Sequence, residues 1–132
     1  MASLVKYKTM SLLSEKRELI EIEYDFAKDG GAVSAIDIFK AIDAMMVMVA
    51  YMKVKTTCTS GGSATVSVGK SGDAAGLVAA TAVASLTAGA AIDGASIGSV
   101  YKLAADDVVQ MDIAVAALTA GKIVFGFEVI KF

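Results

Sequence analysis

The sequence predicts an all-β domain, an antiparallel β-sandwich or jelly-roll-like fold with an N-terminal arm and at most one short helix. Three observations lead to this expectation. Apolar and polar residues alternate along several short segments, which is the period of a half-buried strand. Gly, Asp, Ser and Thr separate these segments at short intervals, as in sandwiches and barrels. The chain is also rich in Val, which favours strands, and its 132 residues fit one domain.

The first 16 residues carry no strong period and are predicted to be an arm that precedes a single β domain over residues 17–132. The arm either reaches a neighbouring subunit or is a frayed end. A first strand is predicted at Arg17–Ala27, with an apolar row (Ile20, Ile22, Tyr24, Phe26) opposite an acidic row (Glu21, Glu23, Asp25). The acidic row is compatible with acid–base chemistry or cation binding, and also with a solvated face that resists edge-to-edge aggregation.

The next segments are a turn at Lys28–Gly31, a short strand at Ser34–Phe39 and a long apolar segment at 44–55. Met and Ala suit a helix in this last segment, but its valines and its alternating lysines favour a strand. Apolar residues occupy both parities of 44–52, so both faces must be covered, one by the core and the other by another element or subunit. Four of the seven methionines lie here, either as an adaptable binding surface or as core.

The second half of the chain continues the same pattern. A break at Thr59–Gly62 precedes a strand at Ser63–Gly69 and a polar turn at Lys70–Asp73, and a short helical turn is predicted at Ala74–Thr81. Further strands are predicted at Ser99–Ala104, Val108–Ala116 and Lys122–Phe132, with a turn at Asp106-Asp107 and a hairpin connection at Leu118–Gly121. The chain has no Pro to protect strand edges, so we expect neighbouring molecules to close some of them.

The composition excludes several function classes. The chain has no His, so a Ser-His-Asp triad and a Cys-His pair are impossible. Its single cysteine, Cys58, cannot form an intrachain disulfide or a Cys₄ zinc site, and we expect it to be a small buried residue. The net charge of −2 lacks the basic excess that a nucleic-acid partner requires.

Two motifs could carry chemistry, and neither is complete. The Gly69-Lys70-Ser71-Gly72 segment lacks the first glycine of a phosphate loop and opens no convincing helix. Asp106, Asp107 and Asp112 could offer oxygen ligands to a cation, but their spacing does not match an EF-hand loop. We therefore expect no catalytic residues, no cofactor and no metal site, and a protein that is not an enzyme.

The sequence carries no visible secretory signal, and its longest uncharged apolar run, Ala44–Met52, is too short to span a membrane. We therefore expect no membrane partner and synthesis in a reducing cytoplasm.

Two segments resemble small structural proteins of tailed bacteriophages. Ser63–Gly69 followed by Gly72–Thr81 is similar to a strand ending in V-G that runs into D-A-x-G-L-x-A-x-T. Leu118–Phe125 is similar to a T-A-G connection that enters a last strand. Within this group the chain resembles capsid decoration (cement) proteins most. The resemblance implies a homotrimer on the outer capsid surface of the virion that bridges capsomers, with the major capsid protein as partner.

The leading hypothesis is therefore a virion structural protein, most specifically a capsid decoration protein. The alternatives are a phage tail tube or fibre subunit, and a small ligand-binding β-barrel or enzyme with inward-facing carboxylates. Contacts with partners are expected from the arm and from the 44–52 strand. The candidate interface residues are Leu4, Val5, Tyr7, Leu12, Leu13, Met45, Met46, Val47, Met48, Val49 and Tyr51.

Overall fold

Two five-stranded β-sheets make up most of the protein. The computed structural model describes residues 8–10, 17–94 and 101–131. The strands are β1 (Lys8–Met10), β2 (Glu18–Asp25), β3 (Ser34–Ala41), β4 (Met45–Ser60), β5 (Thr65–Lys70), β6 (Asp73–Ala82), β7 (Ala91–Asp93), β8 (Tyr101–Leu103), β9 (Val108–Ala114) and β10 (Leu118–Lys131). A one-turn helix, α1 (Phe26–Asp29), and a 3₁₀ turn at Val83–Ser85 complete the described elements.

The two sheets are named after their central strands. The β9 sheet has the order β1-β3-β9-β5-β6, and the β10 sheet has the order β2-β10-β4-β7, with β8 also pairing with β4. Among the described pairs, all are antiparallel except β1 with β3. The predicted antiparallel β-sandwich is confirmed.

The core lies between the inner faces of the sheets and is apolar. Alternate residues of β2 and β9 point into it, which is why the period-two patterns of these strands were visible in the sequence. At its centre the rings of Phe39 and Phe127 meet edge to face, with centroids 5.2 Å apart. The largest fully buried side chains are Tyr24, Phe39, Phe125, Phe127, Ile36, Ile38, Met45, Met52, Leu77, Leu86 and Leu103.

The predicted hairpin between the last two strands is wrong. β9 belongs to one sheet and β10 to the other, so the connection crosses the sandwich instead of joining paired neighbours. The connection lies at residues 115–117, where Val115 has a φ of 73°, and Leu118 already begins β10. Leu118 is buried and donates its N–H to the carbonyl of Gly31 at 2.8 Å, which fixes the start of β10.

The predicted helical turn at Ala74–Thr81 is also wrong, because this segment is part of β6. Val78 pairs with Val68 of β5, and Leu77 and Val78 are both buried. Alanine favours helices and Gly76 weakens that preference, and here pairing with β5 and burial of these two side chains outweigh it.

The first predicted strand ends earlier than expected. β2 stops at Asp25, whose side chain accepts the N–H of Ala27 and so caps α1. Gly30 follows with a φ of 78°, which confirms the glycine turn, and its carbonyl accepts a hydrogen bond from the Tyr24 hydroxyl at 2.5 Å. Part of the predicted arm, Lys8–Met10, forms β1 beside β3.

Candidate interaction surface

The outer face of the β10 sheet contains the outward-facing part of the predicted 44–52 strand. The pairing of β2, β10 and β4 aligns their outward side chains in rows that run across the sheet. Two consecutive rows are Leu19–Glu128–Val49 and Glu21–Gly126–Tyr51. This surface is therefore built jointly by three strands that are far apart in the sequence.

A β-bulge in β4 decides which residues of this strand face outward. Val47 is opposite Val129, whereas Val49 is opposite Glu128, so β4 has one extra residue, Met48, at this point. Before the bulge the odd positions are buried, and after it the even positions are buried. Met48 and Val49 consequently both face outward, and Val49 is 42% exposed.

One end of this face is an apolar zone. We define it as Leu19, Met46, Met48, Val49 and Ile130. Met46 and Ile130 are cross-strand neighbours, and Leu19, at 60% exposure, shares a row with Val49. Glu128 lies between Leu19 and Val49 in this row, and its Oε1 is 2.5 Å from Nη1 of Arg17. Leu19 and Val49 are exposed, and Met46, Met48 and Ile130 are half-buried. Apolar side chains grouped in this way on a surface are typical of a contact region.

The other end of the face is a charged zone. We define it as Glu21, Glu23, Asp25, Lys53, Lys55 and Lys122. Each acid of this zone has a lysine partner: Lys53–Glu21 at 3.0 Å, Lys55–Glu23 at 3.9 Å and Lys122–Asp25 at 3.8 Å between nitrogen and oxygen. Three acids and three lysines balance, so the zone has no excess of either charge. The acidic row of Glu21, Glu23 and Asp25 is thus part of a network of ion pairs on the sheet surface.

Tyr51 lies at the boundary between the two zones. Its ring crosses over Gly126, where any side chain would overlap it, and its hydroxyl donates a hydrogen bond to Glu21. This bond, with that from Lys53, lowers the pKa of the Glu21 carboxyl. The same bond raises the pKa of Tyr51 to about 12, and partial burial adds to the shift. A glycine inside a strand was the sequence signal for this close approach, and sequence reasoning missed it.

The predicted interface residues divide into three groups. Met46, Met48, Val49 and Tyr51 face outward on the β10 sheet. Met45 and Val47 are fully buried between the sheets and belong to the core. Leu4, Val5, Tyr7, Leu12 and Leu13 lie outside the described residues. The methionine cluster therefore serves both as core and as surface.

The incomplete motifs have structural roles in the fold. Asp107 accepts the N–H of Ala104 at 2.8 Å and pairs with Lys70 at 3.3 Å. Asp106 pairs with Lys40 at 3.6 Å, whereas Asp112 lies on β9. Within the ranges that the structure describes, no group of three acidic, His or Cys side chains is placed to hold a metal ion.

The phosphate-loop-like segment is the β5–β6 turn, with Gly72 at a φ of 88°, and a strand follows it instead of a helix. Cys58 is buried, and burial raises the pKa of its thiol to about 11. No helix in the described part of the chain is long and apolar enough to cross a membrane.

Comparisons with known proteins relate this fold to phage particles. No protein-family model matches the sequence, and no curated protein matches it. Among solved structures, the fold is similar to a chain of the cyanophage Pam1 capsid asymmetric unit (TM-score 0.66, 15% identity, 93% of this chain and 90% of that chain). It is also similar to a chain of the acidic stable capsid structure of Helicobacter pylori bacteriophage KHP30 (0.64, 14%, 89% and 90%).

A third similar chain comes from the capsid of Ralstonia phage GP4 (TM-score 0.62, 16% identity, 93% of this chain and 91% of that chain). In all three comparisons about nine tenths of both chains align, so each similar chain is about the same size as this one. The β-sandwich described here is thus a fold that also occurs as a whole small chain in phage capsid structures.

Proposed function

We propose that this protein is a structural component of a phage virion, and specifically a decoration (cement) protein that binds the outer capsid shell and bridges capsomers. The observation that supports the proposal is the alignment of 89–93% of this chain with chains of similar size from three phage capsid structures. The resemblance of residues 63–81 and 118–125 to phage structural proteins is independent support from the sequence.

The outer face of the β10 sheet supports this role through its chemistry. Its apolar zone offers side chains that gain from being buried against a protein partner. Its charged zone is already paired internally, so it does not attract phosphates by counterion release. A surface of this kind suits contact with a protein shell and not with the packaged nucleic acid.

The proposed assembly is a homotrimer whose contacts with the shell and with sister subunits come from the apolar zone and from the arm. Under this proposal the protein acts by binding alone and catalyses no reaction. It is made in the host cytoplasm and added to the outside of the capsid, with the major capsid protein as its partner.

The deciding experiment is a reconstruction of the purified virion combined with quantification of its proteins. We expect this chain in a near-stoichiometric ratio to the major capsid protein, with its density on the outside of the head. Density on the tail tube or on fibres would show that the protein is a tail subunit instead of a capsid decoration protein. Absence of the chain from purified particles would overturn any virion role.

A matched genetic experiment tests the stabilising role. Particles made without this protein should release DNA at a lower temperature than wild-type particles, and adding the purified protein should restore the wild-type release temperature. Equal release temperatures with and without the protein would refute the cement function, even if the protein were on the shell.

A further inference from the structure

β3 is paired along only part of its edge on the side away from β9. β1 runs parallel to β3 and pairs with its last three residues, 39–41. Among the described strands, none pairs on this side with residues 34–38, which we call the open part of β3. An edge of this kind presents unpaired backbone groups and can accept a further strand.

The open part of β3 is regular over most of its length. Its register with β9 has no shift from Ser34 to Asp37, and the one shift of this pair lies between Asp37 and Phe39. Ile38 is the extra residue of this bulge. The Ser34 hydroxyl bonds to the carbonyl of Ala32, outside the strand, and the Asp37 carboxylate bonds to a side chain of β9, so neither occupies the backbone of this edge.

The direction and register of β1 determine which residues of the chain can reach the open part. Because β1 and β3 are parallel and Lys8 lies opposite Phe39, the residues before Lys8 run alongside the residues before Phe39. Continued without a shift, this register brings residues 3–7 opposite residues 34–38. The sequence has seven residues before Lys8, which at about 3.3 Å each are enough to span the open part.

The apolar residues of segment 3–7 match the buried face of β3. Ile36 and Ile38 are buried in the core. In the continued register they lie opposite Val5 and Tyr7, and residues that are opposite each other in a sheet share a face. Val5 and Tyr7 therefore belong at the border of the core, where apolar side chains gain from burial.

Lys6 and Asp37 distinguish this register from its alternative. Asp37 accepts a hydrogen bond from the Gln110 amide at 3.0 Å, and none of the ion pairs among the described residues involves it. The continued register brings Lys6 beside this carboxylate. A register shifted by one residue at the bulge would instead put Lys6 opposite the buried Ile36 and Tyr7 opposite Asp37, which opposes a charge to the core.

We propose that residues 3–7 extend β1 along the open part of β3, in the parallel register that places Lys6 beside Asp37. The occupant of this edge is thus the chain's own N-terminal segment, which the pairing of β1 already directs to it. In this arrangement residues 3–7 belong to the β9 sheet and are not free to reach a neighbouring subunit. The contact needs neither a capsid nor a second copy, so purified protein is sufficient to test it.

The test is disulfide formation between two introduced cysteines in dilute purified protein. Opposite residues of neighbouring strands lie about 4.8 Å apart, within the range that a disulfide spans, and the native Cys58 is buried and provides little background. Lys6→Cys with Asp37→Cys should form the disulfide within one chain in most molecules. Tyr7→Cys with Asp37→Cys is the matched control for the shifted register, and its yield should be at least several-fold lower.

Two outcomes would overturn the proposal. Equal yields for the two pairs would show that the segment has no fixed register on β3. Linkage found only between chains, which electrophoresis separates from linkage within one chain, would show that the segment reaches a neighbouring subunit instead.

Amide hydrogen exchange tests the same contact without cysteines. Lys6→Glu places an acid beside Asp37, so the amides of residues 5–7 should exchange at least several-fold faster than in the wild type. Lys28→Glu, at an exposed lysine of α1, is the control and should leave their exchange unchanged. If Lys6→Glu also leaves it unchanged, Lys6 does not lie beside Asp37 and the proposal is wrong. That result would leave the location of the protein in the virion to be decided by the reconstruction described above.

Discussion

The bulge in β4 makes a prediction that simple alternation would not make. Val47 and Val49 have the same parity, yet Val47 is fully buried and Val49 is 42% exposed. Val47→Asp removes the burial of a whole Val side chain, about 1.5–3 kcal/mol, and places a carboxylate without a partner in an apolar core, which costs several kcal/mol more. The expected loss is about 5 kcal/mol or more, a large part of the stability of a typical domain.

Val49→Asp should cost far less, because its carboxylate reaches water. It loses part of the Val burial and meets Glu128 across the strand pair, which together amount to about 1–2 kcal/mol. Met48→Asp, at the extra residue of the bulge, should cost about 1 kcal/mol by the same reasoning. The assay is urea unfolding followed by circular dichroism, with a comparison of the free energies of unfolding.

The same variants separate folding from assembly. Met48→Asp and Val49→Asp should remain folded but bind poorly to capsids that lack the protein, because both place a charge in the apolar zone. Equal destabilisation by Val47→Asp and Val49→Asp would refute the bulge. Normal capsid binding by both outward variants would refute the role of the apolar zone.

Three further predictions follow from single residues. Val115→Gly should raise the free energy of unfolding by about 1 kcal/mol, because it relieves a β-branched residue at positive φ, whereas the control Val33→Gly should lower it; urea unfolding measures both. Tyr51→Phe should raise the pKa of Glu21 towards its ordinary value in a carboxyl NMR titration. A carboxyl whose pKa is lowered in the folded state stabilises the fold at pH values above its unfolded pKa, and this stability is lost as pH falls through the folded pKa. Tyr51→Phe should therefore lose less stability than wild type as pH falls from the ordinary carboxyl pKa to the lowered one. Gly126→Ala should displace the Tyr51 ring, and the absorbance titration of Tyr51 should then move from about 12 towards 10.

The strands were predictable from the sequence where apolar and polar residues alternate, because the alternation distinguishes the buried face of the strand from its exposed face. From Ile20 to Asp25 in β2 and from Val109 to Ile113 in β9, apolar and polar residues alternate without interruption, so the period identified both strands and their buried sides. The turn at Gly30 was predictable because glycine adopts positive φ at little cost. Which residues of the 44–52 segment face outward was not predictable, because apolar residues occupy both its odd and its even positions. The outward residues include both kinds, Met46 and Met48 at even positions and Val49 at an odd one.

Features that depend on pairing between distant segments were not predictable. The bulge at Met48 exists only relative to β10, and nothing in the sequence of β4 alone marks it. The segments on both sides of the β9–β10 connection have strand patterns that are compatible with a hairpin. Only their pairing with other strands shows that β9 and β10 belong to different sheets. The alanines of β6 favour a helix by intrinsic propensity, and it is pairing with β5 that makes this segment a strand.

The position of β10 has a consequence for how the chain is made. β10 lies between β2 and β4, and among the described strands it is the only one that pairs with β2. It also follows every other described strand in the sequence, so β2 emerges from the ribosome long before its partner exists. At about 5–20 residues per second, roughly 5–20 s pass between their syntheses. The acids of β2 then protect a strand that must wait in the nascent chain, and the cost of removing them should appear as aggregation during expression before it appears as instability of the finished fold.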